Sequence, residues 1–62
     1  MRIDRVKFAA ELVRQDRTLV SLSEMTGLSR ATLTSIKTGK SCRDETALKV
    51  ARALGVPLER LV

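Results

Sequence analysis

Several residue types that build common functional sites are missing or nearly missing from this sequence. It has no histidine, tryptophan or tyrosine, and cysteine, proline and phenylalanine occur once each. The lone Cys42 has no imidazole to activate it as a nucleophile, and a zinc site needs several cysteine or histidine ligands. A single cysteine forms no internal disulfide, which fits a reducing cytosol. We therefore expect no enzymatic activity, no metal and no other cofactor.

The scarcity of aromatic residues restricts both the core and the partners. Because Phe8 is the only aromatic residue, the core must be aliphatic, which favours packed helices over a small β-barrel. Binding of single-stranded nucleic acid is disfavoured too, since it relies on aromatic stacking. No apolar run approaches the roughly 20 residues of a membrane span, and MRIDRVKF has no apolar signal region. We expect a cytoplasmic, nucleoid-associated protein with no membrane or small-molecule partner.

The charges that are present favour a polyanionic partner. The 62 residues contain 12 Lys and Arg against 7 Asp and Glu, a net charge of +5. The longest stretch without an acidic residue, Met25 to Arg43, lies in the middle of the chain. Such an excess suits nucleic acid or an anionic surface. The length suffices for one small domain, which we place at residues 1–62.

Glycine and proline divide the chain into segments of helical length. We predict a first helix from about Asp4 to Asp16, because the apolar Phe8 and Leu12 and the flanking Ala9 and Val13 recur at steps of three and four residues. We predict four more helices: a second from Thr18 to Gly27, a third from Ser29 to Gly39, a fourth from Asp44 to Gly55, and a short fifth beginning at Pro57. The fourth helix is expected to bury Leu48, Ala51 and Leu54. The scattered carboxylates are expected to be solvated: Asp4, Glu11, Asp16, Glu45 and Glu59.

The second and third helices are short and must pack on each other, because isolated helices need about 12–15 residues. Gly27 permits a sharp turn between them, and Ser23 is small enough for close approach. Ser29 is suited to cap the amide of Thr32, and Leu28 can pack on Leu33 as a hydrophobic staple. These features predict a helix-turn-helix.

The third helix has one apolar face and one face of small polar residues. Leu33 and Ile36 define the buried face, and Ala31, Thr34, Ser35 and Thr38 fall on the opposite face at 100° per residue. Small side chains allow the close approach that a major groove requires, and hydroxyls can bond to base edges or phosphates. Arg30 lies in the first turn, while Lys37 and Lys40 flank the face in positions suited to phosphates.

These segments also resemble a known family. TLVSLSEMTGLSRATLTSIKTGKS is similar to the helix-turn-helix of the Cro and repressor, or Xre-type, family, and DETALKVARALGVPLERLV is similar to its closing segment. The resemblance covers about Phe8 to Val62 and implies a five-helix, lambda-repressor-like DNA-binding domain. It implies base contacts by Arg30, Ala31, Thr34 and Ser35, and phosphate contacts by Thr18, Thr38 and Lys40. Leu19 departs from the pattern, since the family often has glutamine there.

The implied function is that of a bacterial or phage transcriptional regulator, a Cro-like repressor that binds a double-stranded operator with two half-sites. One such unit reads few base pairs, so we expect a homodimer. Leu58 and Val62 are the expected interface pair, while Leu61 fits either the core or the interface. An alternative is the same fold acting through a protein partner, as an antitoxin, an anti-repressor or an excision accessory factor. A basic helix lying on a membrane surface is a further, less favoured alternative.

Overall fold

The computed structural model describes residues 1–62 and contains helices but no strand. The elements are α1 (Arg5–Arg14), α2 (Leu19–Thr26), α3 (Arg30–Lys37), α4 (Asp44–Leu54) and a closing 3-10 turn (Leu58–Arg60). α2 packs against both α3 and α4, α1 packs against α3, and the closing turn packs against α4. The all-α class is confirmed. None of the helices has the length and apolar character needed to span a membrane.

The predicted fifth helix is wrong, because the final segment forms only a single 3-10 turn. Pro57 precedes that turn in an extended conformation, with ψ of 148°, instead of serving as the first helical residue. The amide of Leu61 bonds to the carbonyl of Leu58, and the Leu61 carbonyl accepts from the amide of Asp4 at 2.7 Å. Since the Leu61 side chain is also fully buried, these contacts hold the segment as one turn against the core.

Local capping explains where the helices begin. The carboxylate of Asp4 accepts from the amides of Val6 and Lys7 at the start of α1. These hydrogen bonds lower the pKa of Asp4 below its ordinary 3.8, and the bond from the Lys7 amide has the largest effect. Thr18, the predicted start of the second helix, caps α2, and Ser29 caps α3 as predicted. α4 has no side-chain cap, and the two acidic residues in its first turn suit the helix dipole instead.

The core is aliphatic apart from one phenylalanine, and it draws on every helix. Its buried members are Ile3, Phe8, Leu12, Leu22, Leu33, Ile36, Ala47, Val50, Ala51, Leu54, Val56 and Leu61. The expectation that Leu48 is buried is wrong: it is 42% exposed, and Ala47 and Val50 face the core instead. α4 carries apolar residues on more than one face, so its packing against α2 selects the face that is buried. The burial of Leu61 decides between its two possible roles in favour of the core.

The expectation that Glu11 is solvated is also wrong. Its side chain is only 5% exposed and accepts hydrogen bonds from Gln15 at 2.8 Å and from Arg14. These hydrogen bonds lower the pKa of Glu11 below its ordinary 4.5, and the bond from Gln15 has the largest effect. Gln15 also donates to the carbonyl of Leu54 at 2.7 Å, and Arg60 Nε lies 3.6 Å from Glu11. The carboxylate therefore joins α1 to the end of α4 and to the closing turn.

The first residues of the chain are bound to the loop that follows α3. The Met1 carbonyl accepts from the Cys42 amide at 2.7 Å, and the Met1 amino group donates to the Cys42 carbonyl at 3.0 Å. Cys42 is half-buried and packs against the core. Ile3 is buried in the same region. This segment consequently fixes the loop that connects α3 to α4.

Candidate nucleic-acid interface

The turn between α2 and α3 is held by hydrogen bonds from two short side chains and from the backbone of Gly27. Gly27 adopts a left-handed conformation, with φ of 75°, and its amide bonds to the Ser23 carbonyl. The hydroxyl of Thr26 donates to the Leu22 carbonyl at 2.7 Å and accepts from the Leu28 amide at 3.1 Å. The hydroxyl of Ser23 donates to the Leu28 carbonyl at 2.6 Å. Ser23 thus bonds to the turn directly, in addition to permitting the close approach expected from its size.

The first turn of α3 is fixed in the same way. Ser29 Oγ accepts from the amide of Thr32 at 3.1 Å and lies 2.9 Å from the Thr32 hydroxyl. Leu28, just before the cap, packs against the core. Because both the cap and the preceding turn are bonded, the orientation of α3 relative to α2 is set by local contacts. A preoriented helix is what a groove-reading element requires.

α3 has a buried face and an exposed face, as the sequence predicted. Leu33 and Ile36 are buried at 0% and 1% exposure. Of the four expected base contacts, Arg30, Ala31 and Thr34 are exposed, while Ser35 is half-buried at one edge of the face. These four residues therefore lie together on one accessible surface. Its small side chains allow a nucleic-acid backbone or base edge to approach closely.

The expected phosphate contacts surround this face. Lys37, Thr38 and Lys40 are exposed at the C-terminal end of α3, and Thr18 is exposed at the start of α2. Thr18 uses its hydroxyl oxygen to accept from the Ser21 amide, which leaves the hydroxyl proton available to a phosphate. Leu19, next to it, is half-buried against the core and offers no polar contact.

The basic residues near α3 form no ion pairs. All ion pairs of the structure involve the Met1 amino group, Arg14 or Arg60 as the cation. Arg30, Lys37, Lys40 and Arg43 are exposed and remain without an acidic partner. Their charge is consequently not offset locally, and they are available to a polyanion.

Two further cations belong to this surface and were missed from the sequence. Arg2, Arg5, Thr38 and Gly39 line one surface depression, of about 310 Å³, beside the turn that follows α3. The side chain of Arg5 lies so close to Gly39 that a Cβ there would be 3.5 Å from Arg5 Cδ. The excess of basic residues in the N-terminal third was the only sequence signal for them. Their position depends on the packing of α1 against α3.

The comparison with family models decides which class of domain this is. A helix-turn-helix model matches residues 8–61. The chain belongs to the Cro/repressor (Xre-type) helix-turn-helix family. The matched residues include all of α2, the turn, α3 and α4, so the observed fold and the family assignment agree. The Cro/repressor family comprises DNA-binding regulators that bind double-stranded DNA, and this places the chain among DNA-binding helix-turn-helix domains.

Comparison with curated proteins and with solved structures gives no match for the chain. The roles of individual residues therefore rest on the geometry described above. No group of three or more histidine, cysteine, aspartate or glutamate residues is arranged to hold a metal ion.

Proposed function

We propose that this protein is a sequence-specific transcriptional regulator that binds double-stranded DNA through α3. The observation that carries the proposal is the surface of α3, on which a face of small polar side chains is bordered by basic residues without ion-pair partners. Arg30, Ala31, Thr34 and Ser35 contact base edges in the major groove. Thr18, Lys37, Thr38 and Lys40 contact phosphates on either side.

The proposed mode of action is repression by occupancy of a promoter, in the cytoplasm at the nucleoid. Two copies bind the two half-sites of an operator, because one α3 contacts only a few base pairs. Val62 is 45% exposed and Leu58 is half-buried against the core. The contact between the copies therefore uses Val62 and the outer part of Leu58.

Binding to labelled duplex at several salt concentrations tests the proposal. Each phosphate that a cation neutralises contributes about −0.9 to the slope of log K against log salt concentration. With four unpaired cations near α3, we expect a slope of about −2 or steeper for each bound domain. A selection from random duplex should also yield a preferred sequence. Salt-independent binding, or a preference for single strands of the same sequence, would contradict the proposal.

A further inference from the structure

The outer face of α1 carries an apolar stripe that the core does not use. Val6 is 68% exposed and Val13 is 82% exposed. Residues at these spacings lie on one side of a helix, here opposite the buried Phe8 and Leu12. They border an open groove of about 640 Å³ between α1 and the end of α3. The groove is lined by Arg5, Val6, Ala9, Ala10, Val13 and Lys37.

This stripe contributes little to the stability of the domain. β-Branched residues are weak helix formers, so two exposed valines do not favour α1. Single exposed apolar residues are normal on protein surfaces. Here, however, two valines two turns apart are joined by alanines into a continuous strip beside a groove, which is a feature of interaction sites.

Unpaired positive charge lies along one edge of the stripe. Arg5 and Lys37 lie at one edge of the groove, and neither forms an ion pair. Across the helix, on the far side of Ala10, Lys7 donates to the Val62 carbonyl and Arg14 pairs with Glu11. The single acidic residue within α1, Glu11, lies on that far side of the helix, where Gln15 and Arg14 donate to it. The positive charge beside the stripe that has no ion-pair partner is therefore that of Arg5 and Lys37.

We propose that this groove is the docking site for an acidic amphipathic helix of a partner protein. The apolar side chains of that helix pack on Val6 and Val13, and its carboxylates pair with Arg5 and Lys37. This is recognition of a helix in a groove, combined with charge complementarity. A second copy of the chain is disfavoured as the occupant, because two such faces would bring the unpaired Arg5 and Lys37 of both copies together.

The probe is a synthetic helical peptide with leucine at i, i+3, i+4 and i+7 and glutamate at the intervening positions. The control peptide has lysine in place of each glutamate. Anisotropy of the labelled peptides is measured with the full chain and without DNA, so that failure of docking is separate from failure of DNA binding. We expect the acidic peptide to bind, with an affinity that decreases with salt, and the basic peptide not to bind.

The apolar contact is tested with the Val6→Thr/Val13→Thr double variant, which keeps the shape of both side chains. It should bind the acidic peptide about tenfold more weakly, since both side chains lose part of their transfer free energy. The matched control is Val20→Thr, which alters a valine that is 48% exposed on α2 and should leave peptide binding unchanged. Thermal unfolding confirms that each variant is folded.

Four results would overturn the proposal. The first is no binding of the acidic peptide, and the second is equal affinity for the wild type and the double variant. The third is that the wild type binds vesicles of phosphatidylglycerol and phosphatidylcholine but not the peptide, and that the double variant does not bind the vesicles. That result would make the face a membrane contact. The fourth is a wild-type dimer in sedimentation that the double variant converts to monomer, which would make the occupant a second copy.

Discussion

The hydroxyl of Ser23 donates a 2.6 Å hydrogen bond to the carbonyl oxygen of Leu28, and this bond joins α2 to the turn that orients α3. Ser23→Ala leaves that partly buried carbonyl without its partner, so we expect a loss of about 1–2 kcal/mol in the free energy of unfolding. Urea unfolding measures it. Ser21→Ala is the control within α2, because the Ser21 hydroxyl approaches only the sulfur of Met25. Equal stability of the two variants would show that the turn does not depend on Ser23.

Arg30 and Lys40 should affect DNA binding in different ways. If Arg30 bonds to a base edge, Arg30→Ala costs about 1–3 kcal/mol on the selected site and little on random duplex. Lys40→Ala should weaken binding to both duplexes by similar factors, because a phosphate contact is independent of sequence. Anisotropy titrations with the two duplexes separate these cases. A loss from Arg30→Ala that is the same on both duplexes would reassign Arg30 to the phosphate contacts.

Leu33 and Leu48 provide a matched pair for the core. Leu33 is fully buried, so Leu33→Ala should reduce the free energy of unfolding by about 2–5 kcal/mol. Leu48 is 42% exposed, and Leu48→Ala should change stability by no more than about 0.5 kcal/mol. Circular dichroism during thermal unfolding measures both. A larger loss from Leu48→Ala than from Leu33→Ala would mean that α4 and α3 pack differently.

Glu11 makes the stability of the domain depend on pH in the acidic range. Since the pKa of Glu11 is lowered by folding, its contribution is complete above about pH 4.5 and is lost as the pH falls through the lowered value. Glu11→Gln should be less stable at pH 7 and should lose less stability on acidification. Part of the loss remains, because folding also lowers the pKa of Asp4.

Urea unfolding between pH 3 and pH 7 provides this comparison. Glu24→Gln is the control, since Glu24 is exposed and forms no ion pair, and its profile should follow that of the wild type. A Glu11→Gln profile parallel to the wild-type profile would show that Glu11 does not cause the acid sensitivity.

The proposed dimer is tested at Val62, which is more exposed than Leu58. Val62→Glu places a charge in the expected contact and should prevent two copies from binding a duplex with two half-sites cooperatively. Sedimentation with that duplex measures the stoichiometry. Leu48→Glu is the control, because it adds the same charge at another exposed apolar position. Cooperative binding by Val62→Glu as strong as that of the wild type would exclude this interface.

The features predicted correctly from the sequence are those that depend on neighbouring residues. Ser29 caps α3 because its own side chain reaches the amide of Thr32, and Gly27 turns because it lacks a Cβ. The exposed face of α3 followed from two buried positions and the helical repeat. Each of these inferences needs only a few consecutive residues.

The features that were missed depend on residues far apart in the sequence. Burial of Glu11 requires Gln15 to reach the carbonyl of Leu54, 39 residues away, and Arg60 to approach from the closing turn. The choice between Leu48 and its neighbours depends on how α4 meets α2. Arg2 and Arg5 join the candidate interface only because α1 packs against α3.

The bond between the Asp4 amide and the Leu61 carbonyl has a consequence for the topology of the chain. It places the first and last segments side by side, on the same part of the core. A flexible linker between residues 62 and 1 would therefore close the chain into a ring, and new ends could be opened in the loop between α1 and α2. Such a circular permutant keeps α2, the turn and α3 contiguous, and we expect it to fold.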